Sequence, residues 1–515
     1  MPRGPYRMAA IDVGTNSIHM IIVEAQRHGY RVIDKEKEMV QLGRDSLEGR
    51  PLTDGAIERG VATLKHMGEI AKRWQVQDVV AVATSAIREA PNRRRFIAAA
   101  EKTAGIKVRV ISGEEEADYI YRAVRSAVDF SGGTALSIDI GGGSVELIVG
   151  TSSEVYFTRS EPAGALRIAQ KFTLEKAVTA SVLDECRSDV RKALKKTLAR
   201  INAIGFDFTI GTSGTIVTLA TLAAEGSSTD GDGMNPGLRW LSRKRLRELI
   251  EMLAPLSAEQ RVSRLQLDPK RAETILGGAI VLDEILSGLG VVQLRACDAA
   301  LREGIVERML DDRGQKEEAN GGSVRRSSVL EFARRSGVDR THAGHVARLA
   351  LRIFDQTQEL HLLRTGEREL LEYAALLHEV GMHVSYQGHH KHSYYLISHA
   401  GLRGITGDQV AVVANVARYY RKATPSEEHQ NFLQLSRTQK QIVEKLAAIL
   451  RVACALDRGR RGAVRDIAVD IDDKTAAFTL RPRDEADVEL ASALRRGKYF
   501  ARVFGRRVDF EMSVR

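Results

Sequence analysis

The chain has 515 residues, of which 43% are hydrophobic and 28% charged, and its formal net charge is +10. This length is too great for one hydrophobic core and predicts an ordinary globular protein of several domains. No apolar run approaches the roughly 20 residues that cross a bilayer, which excludes a membrane-spanning protein. Three widely spaced cysteines cannot form a disulfide framework, which excludes a small disulfide-stabilised secreted protein.

The first predicted element is a hairpin. Residues 9–23 read AAIDVGTNSIHMIIV, an apolar strand that ends in Asp12, a short turn and a second apolar strand. The turn is made of small and polar residues, namely Gly14, Thr15, Asn16 and Ser17. Glycine permits positive φ and lets a ligand approach the backbone, and the N–H groups and hydroxyl of such a turn form an anion nest.

The MPRGPYR start shows no signal-peptide pattern, so we expect a cytoplasmic protein.

Strands and helices alternate after this hairpin. The pattern predicts a strand at 31–42, a helix at 54–74, a buried strand at 78–87, a helix at 91–105, a strand at 108–112 and a helix at 114–128. Arg88 follows the buried strand, where its planar guanidinium suits a phosphate clamp. An ordinary surface arginine at a helix start fits the same spacing.

The helix at 114–128 begins with three consecutive acidic residues. Ser112 is a suitable N-cap, and Glu115 three residues later completes a capping box. Glu116 fits two interpretations. It is either a third acidic residue favoured by the helix dipole, or a carboxylate kept ionised to orient and deprotonate water.

Residues 136–149, LSIDIGGGSVELIV, repeat the first hairpin. Asp139 corresponds to Asp12, and Glu146 corresponds to His19. The turn again consists of small residues, namely Gly141, Gly142, Gly143 and Ser144. Residues two apart on a strand point to one face, so Glu146 shares a face with Ser144.

The two hairpins predict a cleft with one carboxylate-bearing turn on each side. Two facing anion nests suit a phosphate chain held with a divalent cation. A strand follows the glycines of the second turn, whereas a dinucleotide fingerprint requires a helix, and the chain has no Walker A motif.

A third small-residue turn lies between a strand and a helix in FDFTIGTSGTIVTLATLAA, residues 206–224. Its candidate anion ligands are Gly211, Ser213 and Gly214, although an ordinary strand–helix turn has the same composition. The alternation of strands and helices predicts an α/β fold with two related lobes. Residues 311–323 read as a polar linker, followed by amphipathic helices and a short tail of strands.

The net charge is concentrated in the C-terminal part. Residues 324–515 hold 32 Lys and Arg against 23 Asp and Glu, together with 10 of the 13 histidines. A basic surface attracts polyanions over long distances. The candidate groove residues are the basic runs 418–422 and 458–461.

Six segments carry a family resemblance: IDVGTNSIHM, ATSAIRE, ISGEEEA, IDIGGGSVEL, GTSGT and DAALREGIV, in this order over residues 8–310. They resemble the successive signatures of the exopolyphosphatase / guanosine pentaphosphate phosphatase family, part of the actin-like ATPase superfamily. The resemblance continues at HEVG and HHKHSYYLI. It implies two actin-like (ribonuclease H-like) α/β lobes with a cleft between them, followed by a mostly α-helical HD-like domain and a small α+β tail.

These implied domains have the following boundaries in the chain: lobe I at 1–124, lobe II at 125–310, the linker at 311–323, the helical domain at 324–464 and the tail at 465–515. By motif, the catalytic glutamate of the family falls on Glu116 and its second functional glutamate on Glu146. The resemblance also implies that Asp139 and Asp12, together with the residues of the two turns, bind Mg²⁺ and phosphate. The resemblance also suggests a homodimer.

The C-terminal half resembles an HD-type metal phosphohydrolase domain, which uses His, His-Asp and a distant Asp to hold divalent metals. His342 fits the first ligand, but His378-Glu379 replaces His-Asp, and Cys454 stands where the distant Asp is expected, with Asp457 one turn later. Further histidines follow at His390, His392 and His399. A degenerate domain that binds polyanion without metal is the competing interpretation.

The sequence therefore predicts an Mg²⁺-dependent exopolyphosphatase that releases the terminal phosphate of inorganic polyphosphate, and leaves a stimulating monovalent cation open. Hydrolysis of guanosine pentaphosphate to the tetraphosphate is the alternative within the same chemistry. A kinase and a non-catalytic polyphosphate sensor are the alternatives from other classes.

Overall fold

The computed structural model describes residues 5–26, 29–44, 46–128, 130, 132–225, 238–313 and 324–513. These residues form two compact units, the first ending at residue 313 and the second beginning at residue 324. Each unit is described by itself below. In the described part of the chain, no helix is both long and apolar enough to cross a membrane.

The first lobe contains a five-stranded sheet in the order β3-β2-β1-β4-β5. Its strands are β1 (Arg7–Val13), β2 (Ile18–Gln26), β3 (Gly29–Glu38), β4 (Asp78–Ala83) and β5 (Val108–Val110). The first three are antiparallel neighbours, and β4 and β5 run parallel to β1. The predicted hairpin and strands are thus present, although the strands predicted at 31–42 and 78–87 end at Glu38 and Ala83.

The first lobe also contains four helices, which alternate with the later strands: α1 (Asp54–Arg73), α2 (Ser85–Glu89), α3 (Arg93–Ala104) and α4 (Gly113–Ala127). Thr53 is the N-cap of α1. Its hydroxyl accepts a hydrogen bond from the backbone N–H of Ala56 and so satisfies one of the free N–H groups of the first turn. Alternate residues of β1 lie on opposite faces of the sheet. Ile11 packs in one apolar core with Leu64 of α1, and Met8 in another with Ile120 of α4.

The second lobe repeats this topology in a six-stranded sheet, order β10-β11-β9-β6-β7-β8. Its strands are β6 (Ala135–Ile140), β7 (Val145–Gly150), β8 (Val155–Glu161), β9 (Phe208–Thr212), β10 (Leu238–Ser242) and β11 (Gln293–Cys297). Its helices are α5 (Ala165–Lys171), α6 (Ala180–Ile204), α7 (Ser213–Glu225), α8 (Arg243–Leu253), α9 (Ala258–Leu265) and α10 (Pro269–Gly288). Strands β8-β7-β6-β9-β11 therefore occupy the places of β3-β2-β1-β4-β5, which extends the repeat beyond the hairpins.

The last helix of the first unit, α11 (Leu301–Asp312), returns to the first lobe. Its Ile305 and Val306 join the core that Met8 and Ile120 form. Gly304 lies so close to α4 that an added Cβ would be 1.7 Å from the carbonyl oxygen of Tyr119. The predicted lobe boundary at residues 124 and 125 lies inside α4, and the first two residues of the predicted linker belong to α11; residues 314–323 lie outside the described residues.

The second unit is mainly helical, with one small sheet at its end. Its helices are α12 (Val324–Arg335), α13 (Arg340–Gln356), α14 (Gln358–His361), α15 (Thr365–Leu377), a 3-10 turn (Val380–His383), α16 (His389–Ser398), α17 (Gly407–Tyr419), α18 (Gln430–Leu433), α19 (Arg437–Ala455) and α20 (Asp487–Phe504). The sheet has the order β12-β13-β14, from β12 (Val464–Ile471), β13 (Thr475–Pro482) and β14 (Arg507–Met512). The predicted helices and tail strands are confirmed.

Candidate active site

The turns of the two predicted hairpins have the same internal geometry. The backbone N–H of Gly14 donates to the carbonyl oxygen of Ser17 at 3.0 Å, and that of Gly141 donates to Ser144 at 3.0 Å. The strand registers also correspond, since Asp12 pairs with His19 and Asp139 pairs with Glu146. The repeat seen in the sequence is therefore a structural repeat.

The two turns lie against each other. A Cβ added to Gly142 would be 3.0 Å from Cβ of Thr15, and one added to Gly143 would be 2.3 Å from Oγ of Ser85. None of the turn glycines has positive φ, so that part of the expectation was wrong. A side chain at 143 would overlap the start of α2, and one at 142 would be crowded by the opposite hairpin.

A cavity of about 480 Å³ lies between the two lobes within the first unit. Most predicted site residues line it, namely Asp12, Gly14, Thr15, Asn16, Ser17, Glu116, Asp139, Gly141, Gly142, Gly143, Ser144, Ser213 and Gly214. The other three predicted residues, Arg88, Glu146 and Gly211, do not reach its wall.

Glu116 is a buried carboxylate on the wall of this cavity. Its position is fixed by the start of α4, where the hydroxyl of Ser112 accepts from the N–H of Glu115 at 3.1 Å. Burial raises the pKa of Glu116 to about 7, against the opposing effect of Arg88 and with a contribution from Asp139. A carboxylate with this pKa can accept a proton near neutral pH.

Arg88 contacts Glu116 and not the cavity. One guanidinium nitrogen donates to Oε2 of Glu116 at 2.9 Å and to the carbonyl oxygen of Ile111 at 3.1 Å. The sequence predicted a phosphate clamp at Arg88. The structure instead pairs its charge with the candidate base, because α2 places Arg88 beside the β5–α4 junction.

Three more carboxylates lie near Glu116, and all have raised pKa values. Burial and the negative charge of Glu116 raise the pKa of Asp12 to about 8. Burial raises the pKa of Asp139 to about 6, although its hydrogen bond from Thr212 acts in the opposite direction. Burial and Glu116 raise the pKa of Glu146 well above its ordinary value. The charged forms of these buried carboxylates are therefore costly, and the site favours the binding of protons or of a cation.

Glu146 lies behind the cavity wall. It is buried, and its Oε1 accepts a hydrogen bond from the hydroxyl of Ser160 at 2.7 Å. Its cross-strand partner Asp139 does line the cavity. Glu146 is thus placed to affect the site through Asp139 rather than by contact with a bound molecule.

The oxygens around the first turn fit a hard divalent cation. Oδ1 of Asp12 and Oδ1 of Asn16 are buried and lack a hydrogen-bond partner among the described residues. Among those same residues, the cleft contains no group of three carboxylate ligands as close together as an all-protein metal cage requires. Mg²⁺ is commonly held by one or two carboxylates together with waters and substrate phosphates, and Asp12, Asn16 and Asp139 fit that arrangement.

Four basic side chains on the cavity wall were not identified from the sequence. They are Lys35, Lys37, Arg271 and Arg302. Burial lowers the pKa of both Lys37 and Arg271, because the charged form is costly away from water. A bound polyanion would stabilise these charges.

Arg302 also fixes the proton on His19. A guanidinium only donates, so Nδ1 of His19 accepts from Arg302 at 2.8 Å. Burial and Arg302 lower the pKa of His19 to about 3, so the ring is neutral and its Nε2–H donates to Oγ of Ser17 at 2.7 Å. The hydroxyl proton of Ser17 is consequently left to donate into the cavity.

The third predicted turn contributes two of its three residues. Ser213 begins α7 with φ of 84°, a left-handed conformation that is uncommon outside glycine. A Cβ added to Gly214 would be 2.5 Å from a guanidinium nitrogen of Arg271, so a side chain there would displace that guanidinium from its present position. Gly211 is packed under Ile216 and faces the core.

In the second unit, the sequence-predicted HD-type residues are only partly brought together. His342, His378, Glu379, Cys454 and Asp457 line a small cavity. The predicted ligands that do not line it are His390, His392 and His399. The residues of the predicted basic runs that do line it are Tyr420, Arg421, Arg458 and Arg460.

The comparisons with known proteins agree with this architecture. Residues 21–313 match the Ppx/GppA phosphatase family, and residues 324–493 match Ppx/GppA phosphatase, domain III. A guanosine-5'-triphosphate,3'-diphosphate pyrophosphatase of Aeromonas hydrophila is 29% identical over 481 residues, 92% of each chain. The protein of that name in Vibrio campbellii is 30% identical over 426 residues, 82% of each chain.

A solved structure shows the fold of the first unit. The exopolyphosphatase from Cytophaga hutchinsonii is 27% identical, with a TM-score of 0.56, and the match covers 59% of this chain and 98% of that one. The two sheets with their repeated strand order are thus the two lobes of the actin-like fold, as the resemblance implied.

Proposed function

The chain belongs to the Ppx/GppA phosphatase family, whose enzymes hydrolyse phosphoanhydride bonds, and we propose that it releases the terminal phosphate of inorganic polyphosphate. The observation that carries this proposal is Glu116, a buried carboxylate with a pKa of about 7 on the wall of a cavity that also holds two anion-binding turns. A candidate base beside two turns of this kind supports removal of the last phosphate of a bound chain.

The substrate end is held by the two turns. Backbone N–H groups and the hydroxyl of Ser17 donate to its phosphate oxygens, and the four basic side chains on the wall offset its charge. Glu116 accepts a proton from water as the water oxygen attacks the terminal phosphorus and the bridging P–O bond breaks. The leaving group is itself a phosphate, which needs little protonation.

Asp12, Asn16 and Asp139 are the residues that would hold Mg²⁺. When bound, the ion supplies charge stabilisation for the oxygens of the transferring phosphoryl group. Glu146 acts here as a positioning residue, because it lies behind Asp139 and shares a strand pairing with it.

Guanosine pentaphosphate is the second candidate substrate. It presents the same kind of terminal phosphoanhydride, and the relatives from Aeromonas and Vibrio carry names for action on a guanosine 5'-triphosphate,3'-diphosphate. The deciding measurement compares phosphate release from long-chain polyphosphate and from guanosine pentaphosphate, with Mg²⁺ and with a chelator. We expect faster release from polyphosphate and none with the chelator; a preference for the nucleotide would make it the primary substrate, and release from neither would refute the proposed chemistry.

The acid side of the pH–rate profile should report the candidate base. Glu116 must be deprotonated to accept a proton, and its pKa is about 7. We therefore expect kcat/KM to fall as the pH drops through about 7, approaching a tenfold loss for each pH unit below it. The measurement is phosphate release at constant ionic strength, and a profile that is flat from pH 8 to about pH 5 would contradict this assignment.

Replacing Arg88 with methionine should move that profile. Arg88 lowers the pKa of Glu116, so its removal leaves the carboxyl harder to ionise. We expect the acid limb to shift to higher pH by about one unit, as for loss of an opposite charge in contact, with less change in rate at high pH. Arg94→Met, at an exposed position on α3, is the matched control and should leave the profile unchanged; an Arg88→Met profile identical to wild type would refute the pairing.

A further inference from the structure

Three metal-binding side chains meet inside the second unit, away from the cavity described above. One ligand atom each from His342, His378 and Glu379 lies within 4.8 Å of the others, and all three residues are buried. Nε2 of His342 is 3.9 Å from Oε2 of Glu379, and Nε2 of His378 is 4.0 Å from its Oε1. Ligand atoms of a tetrahedral site lie about 3.4 Å apart, so small side-chain adjustments bring them to that spacing.

Both imidazoles are held with a lone pair directed at this point. Nδ1 of His378 donates to the carbonyl oxygen of Ala375 at 2.7 Å, which leaves Nε2 as the acceptor. That Nε2 is buried and has no hydrogen-bond partner among the described residues. Nδ1 of His342 is 2.7 Å from Oδ2 of Asp457, and this carboxylate fixes the other ring in the same way.

Asp457 is itself well anchored. Its Oδ1 accepts from the backbone N–H of Gly462 at 2.8 Å. A carboxylate that orients a ligating histidine in this manner supports metal binding without contacting the metal.

We propose that His342, His378 and Glu379 form a binding site for a divalent transition metal ion of the zinc class. Two imidazole nitrogens and one carboxylate favour such an ion over Mg²⁺, which prefers oxygen ligands alone. The adjoining cavity of about 80 Å³ leaves room for water in the remaining coordination position.

The arrangement differs from the HD pattern predicted from the sequence. Glu379 takes the place of the aspartate, its longer side chain reaching both histidines. Asp457 lies behind His342 and not among the ligands, and Cys454 lines the cavity as a thiol whose pKa is raised by burial. The chain differs from the HD pattern at Glu379 and at Cys454, and these two differences argued against a metal site in the sequence. In the structure, three metal ligands remain despite them.

Arg460 is the competitor for this site. Its guanidinium donates to Oε1 of Glu379 at 2.5 Å, and its side chain is 39% exposed. It neutralises the carboxylate when no metal is bound, and its exposure allows it to move out towards solvent. Removing this positive charge should therefore strengthen metal binding.

The test is a zinc titration of the full chain, stripped of metal, in excess Mg²⁺ so that the oxygen ligands of the cleft are occupied. A chromophoric chelator as competitor gives the affinity, and elemental analysis after desalting gives the stoichiometry. Wild type should retain one equivalent of Zn²⁺, and His378→Gln should retain none. His399→Gln, which removes an exposed histidine of the same unit, should behave as wild type.

Two further variants keep the test decisive if His378→Gln does not fold. Arg460→Gln changes a half-exposed residue and should bind Zn²⁺ about tenfold more tightly, since a neighbouring positive charge is lost. Asp457→Asn should bind it about 10- to 100-fold more weakly, the usual effect of losing a carboxylate behind a histidine ligand. No zinc in the wild type, full zinc in folded His378→Gln, or unchanged or weaker binding in Arg460→Gln would each overturn the proposal.

Discussion

Replacing Glu116 with glutamine is expected to lower kcat for phosphate release by about 10²- to 10⁴-fold, the usual contribution of a general base. Glutamine has nearly the same shape but cannot take a proton from water. The substrate is held by the turns and the basic side chains, so KM should change little. The measurement is the steady-state rate with saturating Mg²⁺ over a range of polyphosphate concentrations.

The matched control for this variant is Glu114→Gln, two residues earlier on the same helix turn. Glu114 is exposed and does not line the cavity, so kcat should stay at the wild-type value. A Glu116→Gln enzyme that keeps most of the wild-type kcat would show that another group accepts the proton.

Replacing Gly143 with alanine is expected to push the second turn away from the start of α2. The new Cβ would be 2.3 Å from Oγ and 2.9 Å from Cβ of Ser85, and 3.1 Å from Oγ1 of Thr15. Rotation of the serine hydroxyl relieves the first contact but not the second, so the backbone must shift. We expect a loss of about 1–3 kcal/mol in the free energy of unfolding and a fall in kcat of about 10²-fold, since the turns hold the substrate relative to Glu116.

The stability change is measured by urea unfolding and the rate by phosphate release. Gly55→Ala is the control in the same unit, because a Cβ there would meet only the flexible end of Arg59, at 3.4 Å. It should leave both the unfolding free energy and kcat near wild type. An unchanged Gly143→Ala protein would mean that the second turn tolerates a side chain and that its glycines serve another purpose.

The local features of this fold were predictable because their signals are local. The helix predicted at 54–74 spans Asp54–Arg73, as its Thr53 cap and apolar periodicity indicate. The strand predicted at 78–87 was too long, because the apolar pattern continues into α2 while the backbone changes from strand to helix at Ser85. Hydrophobicity alone does not mark that change.

The parts of the site that depend on distant segments were not predictable in the same way. Arg271 and Arg302 reach the cavity from the start of α10 and the start of α11. Nothing in the sequence around Arg271 distinguishes it from a surface arginine. Arg302 lies in DAALREGIV, one of the family signatures, which was the available signal. Arg88 was predicted to clamp phosphate, and its contact with Glu116 became clear only when α2 and α4 were placed side by side.

The return of α11 to the first lobe has a consequence for the order in which the protein can fold during synthesis. The first sheet is complete once β5 has been made, yet the core around Met8 lacks Ile305 and Val306 until the whole second lobe has left the ribosome. That apolar core of the nascent lobe therefore stays incompletely covered throughout the interval, a situation that favours aggregation or chaperone binding. Within the first unit, the amino-terminal lobe is therefore completed after the second lobe.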